Sequence, residues 1–300
     1  MTSLVNSSHV TSTTTINIPS SSDQDRGKHW NIEDIDIYAV CDGHGVYGRT
    51  FAEHVINYID THFHTIEWIN DNIEEIIQNL FVEIETSASE TLSGKHGGST
   101  VSLYIKRGDK DIWIANLGDS DIVIFNKTDN SHIVLSEDHG PSNIEEFKRM
   151  KQTHDNVIAE YDKQIKFGPV IPVFKKVDDK WITSEIPSRN VYYKNVEGEY
   201  ATYIGDGDSH KLSVTRAIGD FHFKEHFGVS AVPFIRKIEP LTENNVIIMA
   251  SDGFWDCWKY SEVTDFLQNN SIDKLEKEHS DKSNRLFGSS KDDTFVYVIS

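Results

Sequence analysis

From Ile35 to Cys41 the run IDIYAVC is apolar on both alternating sets of positions, the pattern of a strand covered on both faces, and it stops at Asp42-Gly43. Beyond it, Phe51, Val55, Ile59, Phe63 and Ile66, and then Ile73, Ile76, Ile77, Leu80, Phe81 and Ile84, recur at spacings of three and four, which predicts two amphipathic helices. After Gly97-Gly98 come three strand-like runs, STVSLYIK, DIWIANLG and DIVIFN, with Arg107-Gly108-Asp109-Lys110 and Asp119-Ser120 between them, so an antiparallel meander is expected. A polar helix is expected near Asn143 to Thr153. Further on come a buried strand from Val246 to Ala250 ending in Ser251-Asp252-Gly253, a helix over Tyr260 to Leu267, and a closing strand from Phe295 to Ile299. Strands in long runs with helices in separate pairs place the chain in the α+β class rather than among alternating βαβ folds.

Composition narrows the function. With 29 basic against 48 acidic side chains, a net charge of −19 and no useful run of Lys or Arg, a stripe for the phosphate backbone is not expected, and nucleic acid is not an expected partner. The N-terminal stretch has neither a basic region nor an apolar one, and the longest apolar run elsewhere is about Val246 to Ala250, so neither secretion nor a membrane span is expected. Cys41 and Cys257 lie far apart with no CxxC spacing, which fits a reducing, cytoplasmic or otherwise intracellular setting. Cys41 stands in an apolar strand with no basic neighbour in sequence and is expected to pack rather than react.

Three apolar runs end in an aspartate: YAVCDGHG gives Asp42, WIANLGDS gives Asp119, and IIMASDGFWD gives Asp252, with Asp256 four residues on. Any one Asp-Gly is ordinarily only a turn dipeptide. Together, strands of one sheet bring their tips to one patch, and clustered carboxylates repel unless a cation sits among them. Hard oxygen ligands suit Mg²⁺ and Mn²⁺, and phosphoester hydrolysis is the natural use of such a two-metal site.

The chain resembles the type 2C, or PPM, family of metal-dependent serine/threonine protein phosphatases. The resemblance covers most of residues 24 to 300 and is carried by AVCDGHG at 39–45, GST at 98–100, ANLGDS at 115–120, DHGP at 138–141, TRAIGD at 215–220, ASDGFWD at 250–256 and SKDD at 290–293. It implies a sandwich of two mainly antiparallel β-sheets flanked by pairs of helices, with a long flap insertion. On this reading residues 1–21 are a mobile tail contributing one strand around Thr13 to Ile18, and 22–300 are the catalytic domain, which includes the insertion at 156–211. The resemblance further implies that Asp42, the Gly43 carbonyl, Asp252 and Asp292 bind two Mg²⁺ or Mn²⁺ ions. Asp25 orients metal-bound water at their edge, and Asp119 with Asp256 serves a third, weaker ion. A metal-bridging hydroxide would attack phosphoserine or phosphothreonine in phosphoprotein substrates, while His44 protonates the leaving oxygen as general acid.

Several positions depart from the family's pattern. No Lys or Arg precedes Arg26, where the family carries a phosphate-gripping base, and Lys28 is the candidate substitute. The usual Glu-Asp pair reads Gln24-Asp25, the usual Asp-Asn reads Asp292-Asp293, and the long insertion holds the acidic loop Gly205-Asp206-Gly207-Asp208. Two rival readings follow. His222-Phe223-Lys224-Glu225-His226 matches the HxxEH pattern of a class of zinc peptidases, and the missing base suggests a catalytically impaired interaction module on the same fold.

Overall fold

The computed structural model describes residues 12–66, 68, 72–108, 111–164, 169–186, 191–205, 210–288 and 292–300. One five-stranded sheet runs, edge to edge, Thr13–Ile18, Thr294–Ile299, Asn245–Ala250, Ile122–Asn126 and His132–Val134. The other runs Phe234–Ile238, Asp111–Leu117, Val101–Arg107, Ile35–Cys41 and Arg26–Ile32. All these pairings are antiparallel.

Side-chain alternation makes the layers. In Ile35–Cys41, Tyr38 and Val40 point between the sheets, where they meet Tyr104, Ile114, Ile247, Met249 and Tyr297. Ile37, Ala39 and Cys41 point the other way, against Phe51, Val55 and Ile59 of helix α1 (Gly48–His62) and Ile77, Leu80, Phe81 and Ile84 of helix α2 (Ile73–Leu92). The other sheet repeats the scheme: Val246, Ile248, Val296 and Val298 face Phe254, Trp258, Val263 and Phe266 on the opposite outer layer. A strand with helices on one side and a second sheet on the other must be apolar on both, which is what IDIYAVC displays. The buried Tyr38 hydroxyl hydrogen-bonds Thr13 Oγ1 at 2.9 Å, tying the Thr13–Ile18 edge strand to the opposite sheet.

One expectation is corrected. Val101–Arg107 and Asp111–Leu117 form the expected hairpin, but the third run, Ile122–Asn126, crosses to the other sheet and pairs with Asn245–Ala250. The turn at Asp119-Ser120 is therefore a crossing between layers, which sets Asp119 where the ends of both sheets meet.

The polar helix forms as α3 (Ile144–Thr153), where Asn143 Oδ1 accepts from the backbone N–H of Glu145 at 2.9 Å and of Glu146 at 3.4 Å. The described part of residues 156–211, with Leu212, folds into a small sheet of Ala159–Tyr161, Thr202–Gly205 and Lys211–Leu212 and a hairpin of Phe174–Val177 with Lys180–Thr183. Its apolar residues, among them Tyr161, Phe174, Val191 and Ile204, pack with Phe147 and Met150 of α3 in a core of their own. Asp206, Gly207 and Asp208 of the acidic loop lie outside the described residues, as do residues 1–11.

Candidate metal centre

Asp42 leaves the end of Ile35–Cys41, and Thr100 holds it there: the Asp42 N–H donates to Thr100 Oγ1 at 3.1 Å, and the Thr100 N–H donates to the Asp42 carbonyl at 2.9 Å. Thr100 Oγ1 also meets Ser120 Oγ at 2.7 Å, so one side chain fastens the Asp42 tip to the Asp119-Ser120 crossing. Gly43 must lack a side chain, because a Cβ there would lie 2.4 Å from the Gly48 carbonyl carbon and oxygen.

Asp25 is 4% exposed. Its carboxyl takes a hydrogen bond from Ser251, while its buried Oδ2 has no hydrogen-bond partner. Burial, reinforced by the charges of Asp252, Asp293 and Asp292, pushes its pKa up to about 8 against the Ser251 hydrogen bond. Asp42 is likewise raised well above the usual carboxylate range, by burial first and then by Asp25, Asp252, Asp292 and Asp119. The strand tips have thus brought these aspartates into one electrostatic field.

Asp293 does different work. It accepts from the N–H groups of Ser20 (2.5 Å), Gln24 (2.8 Å) and Asp23 (3.1 Å) and from Ser22 Oγ (2.8 Å). Against its burial, these donors hold its pKa below the ordinary value. Asp293 therefore brackets the segment that delivers Asp25, and Asp292 is the exposed member of the pair.

His44 sits beside this field with Nε2 donating to Asp220 Oδ2 at 2.6 Å. Burial alone would lower the imidazole's pKa, but the charge and hydrogen bond of Asp220, with Asp119 and Asp252 behind them, raise it. Asp220 adopts φ 48° and ψ 40° as it opens helix α4 (Phe221–Phe227), and its carboxylate fills the space left by Gly98, where a Cβ would come within 2.2 Å of Oδ2. Behind it, Glu146 of α3 binds Arg149 (2.9 Å) and Arg216 (2.6 Å), which anchors the TRAIGD block to α3. The sequence placed Asp220 in that block without giving it a role.

Asp119 is 8% exposed and pairs with Lys194, whose Nζ lies 2.5 Å from Oδ2. Asp119, Asp252, Asp256 and Lys194 line one cavity of about 90 Å³. Asp256 ends α5 (Asp252–Trp255), its N–H donating to the Asp252 carbonyl at 2.7 Å. Lys194 was not singled out from sequence, since it lies where no period marks a face. Lys28, the expected substitute base, is instead paired with Asp60 of α1 at 2.5 Å over the Trp30 ring. His222 and His226 are one turn apart on α4 with ring centroids 4.5 Å apart, and Glu225 is exposed.

Among the described residues no group of three or more His, Cys, Asp or Glu closes into a ligating cluster. The donor chemistry nevertheless fits a hard divalent cation: the ligands on offer are oxygens, and one of them, Asp25 Oδ2, is buried among other carboxylates without a hydrogen-bond partner.

A model of the protein phosphatase 2C family matches residues 7–286, and the chain belongs to that family, whose members are metal-dependent. It is 27% identical over 200 residues to probable protein phosphatase 2C 60 of Arabidopsis thaliana, covering 64% of this chain and 42% of the relative. It is 25% identical over 257 residues to protein phosphatase 1L of Bos taurus, covering 81% of this chain and 56% of the relative. The chain thus spans about half the length of these two relatives. Among solved structures, a serine-threonine phosphatase 2C from Toxoplasma gondii superposes with a TM-score of 0.64 at 16% identity, over 96% of this chain and 93% of that one, so the αββα fold is shared. No helix among the described residues is long and apolar enough to cross a membrane.

Proposed function

We propose that the chain hydrolyses phosphoserine and phosphothreonine in phosphoproteins with the help of Mg²⁺ or Mn²⁺. The observation that carries this reading is the meeting, at the ends of both sheets, of a carboxylate field with an imidazole that Asp220 holds at 2.6 Å and whose pKa it raises. Asp42, the Gly43 carbonyl, Asp252 and Asp292 would hold two ions, with Asp25 at their edge. Such ions would neutralise the carboxylates, polarise the phosphate ester and make water more acidic.

The remaining chemistry belongs to the chain. Alkoxide is a poor leaving group, so bond breaking needs a proton at the departing Ser or Thr oxygen. With Nε2 committed to Asp220, the protonated His44 ring offers that proton from Nδ1, and the buried carboxylate orients the ring. Cys41 cannot act as a nucleophile, because full burial raises its thiol pKa far above neutrality. Attack therefore falls to water, without a phosphoenzyme. Every carboxylate required for the ions is present, which favours an active enzyme over an impaired module. The two buried free cysteines support a reducing, intracellular setting.

The test is phosphate release from a phosphothreonine peptide. Turnover should require Mn²⁺ or Mg²⁺ and stop on chelation; turnover that continues with a chelator present would rule the reading out.

A further inference from the structure

We propose that Lys194 is a tethered cation that takes the place of the third metal ion at Asp119, so that the resting chain loads two divalent ions rather than three. This rests on the reading of the strand-tip aspartates as ion ligands.

Charge and delivery both single out Lys194. Asp119 belongs to a crowded carboxylate field, and such a group needs a positive partner within a few ångströms. Its partner is already in place, since Lys194 Nζ lies 2.5 Å from Oδ2 with the lysine side chain 26% and the aspartate 7% exposed. Asp252 and Asp138 line the same cavity as Lys194 and Asp119 and add to the negative charge around the ammonium. A divalent ion at Asp119 would have to displace that ammonium or sit beside it, and like charges at such range repel strongly in a partly buried site.

Delivery is structural rather than incidental. The Lys194 N–H donates to the Glu199 carbonyl at 2.6 Å, Asn195 Nδ2 donates to Glu199 Oε2 at 3.0 Å, and Tyr193 bridges Tyr200, so the residue stands on a closed hairpin turn. Glu197, at the tip of that turn, accepts the Tyr260 N–H at 3.0 Å, at the start of helix α6 (Tyr260–Asn269). The hairpin is thus pinned at two points, over Asp119 and over α6, and it presents one positive charge to the cavity that Asp119, Asp252 and Asp256 line.

The test is the number of Mn²⁺ ions bound per full chain, counted by electron paramagnetic resonance of free Mn²⁺ during titration from micromolar to millimolar, with near-ultraviolet circular dichroism confirming the fold. Wild type and Lys194→Arg should bind two ions. Lys194→Met should gain one weaker ion, and Lys194→Met/Asp119→Asn should lose it again. A third ion in the wild type that Asp119→Asn removes, or no gain in Lys194→Met, would overturn this proposal alone. Absence of the two tighter ions from the wild type would overturn the functional reading and this proposal with it.

Discussion

The carboxylates of the sandwich stand on strand ends locked by long backbone ladders, whereas Lys194 arrives on a hairpin whose neighbouring strands are only two to four residues long. The first arrangement fixes negative groups so firmly that they cannot move apart to relieve their repulsion. The second brings a positive group that can be exchanged by substitution without dismantling a sheet. On the proposed reading, rigid acidic floor and adjustable cationic strap would divide the site's work: one would supply constant ligands, and the other would set how many ions those ligands receive.

That contrast can be broken most forcefully from the floor. Asp42→Ala or Asp252→Ala should reduce phosphopeptide kcat by more than about 10³-fold, well beyond the roughly 10–100-fold cost of losing an outer partner of a metal site. Substitution at the floor should leave the fold intact, as far-ultraviolet circular dichroism would show, because these changes relieve repulsion rather than open a cavity.

Next in size is His44, the proposed proton donor. His44→Ala should slow phosphopeptides by about 10²-fold while affecting aryl phosphates, whose leaving group needs little protonation, far less. Asp220→Asn sharpens the point. Asp220 raises the His44 pKa, so its removal should move the alkaline limb of the kcat/KM profile to lower pH. An unmoved limb would detach Asp220 from the acid.

Smaller in its effect on chemistry but plain in stability is the anchor beneath the TRAIGD block. Glu146 is 2% exposed between Arg149 and Arg216, whose hydrogen bonds and charges outweigh burial and hold its pKa at about 2. Glu146→Ala leaves two guanidinium groups facing each other and should cost about 3 kcal/mol in urea unfolding.

The floor was legible in the sequence because each of its parts leaves a pattern. Two-sided apolar strands show as IDIYAVC and NVIIMA, and an aspartate directly after such a run has to sit at a strand tip. Asp25 was readable only through the family resemblance, since it precedes an edge strand, Arg26–Ile32, with no apolar run before it. The crossing at Asp119-Ser120 was misread because a turn between layers and a hairpin turn use the same residues. Lys194 was illegible for a deeper reason: its partner is 75 residues away, and a salt bridge between a hairpin and a strand crossing leaves no periodic trace. The Lys28–Asp60 pair was equally illegible, as the two residues lie 32 apart and nothing local reveals that they meet.

On the proposed reading the floor is short of positive charge until divalent ions arrive, and the melting temperature of metal-free protein against pH measures that shortage. Asp25 keeps its proton in the folded chain up to about pH 8 but loses it near the ordinary carboxylate value of 3.8 when unfolded, so the folded state binds more protons across that window. Stability of the metal-free protein should therefore fall as pH rises from 5.5 to 8.5, Mg²⁺ should abolish the fall, and Asp25→Asn should reduce it. A melting temperature that holds level across this range without metal, or one that Mg²⁺ leaves unchanged at pH 8.5, would contradict the claim.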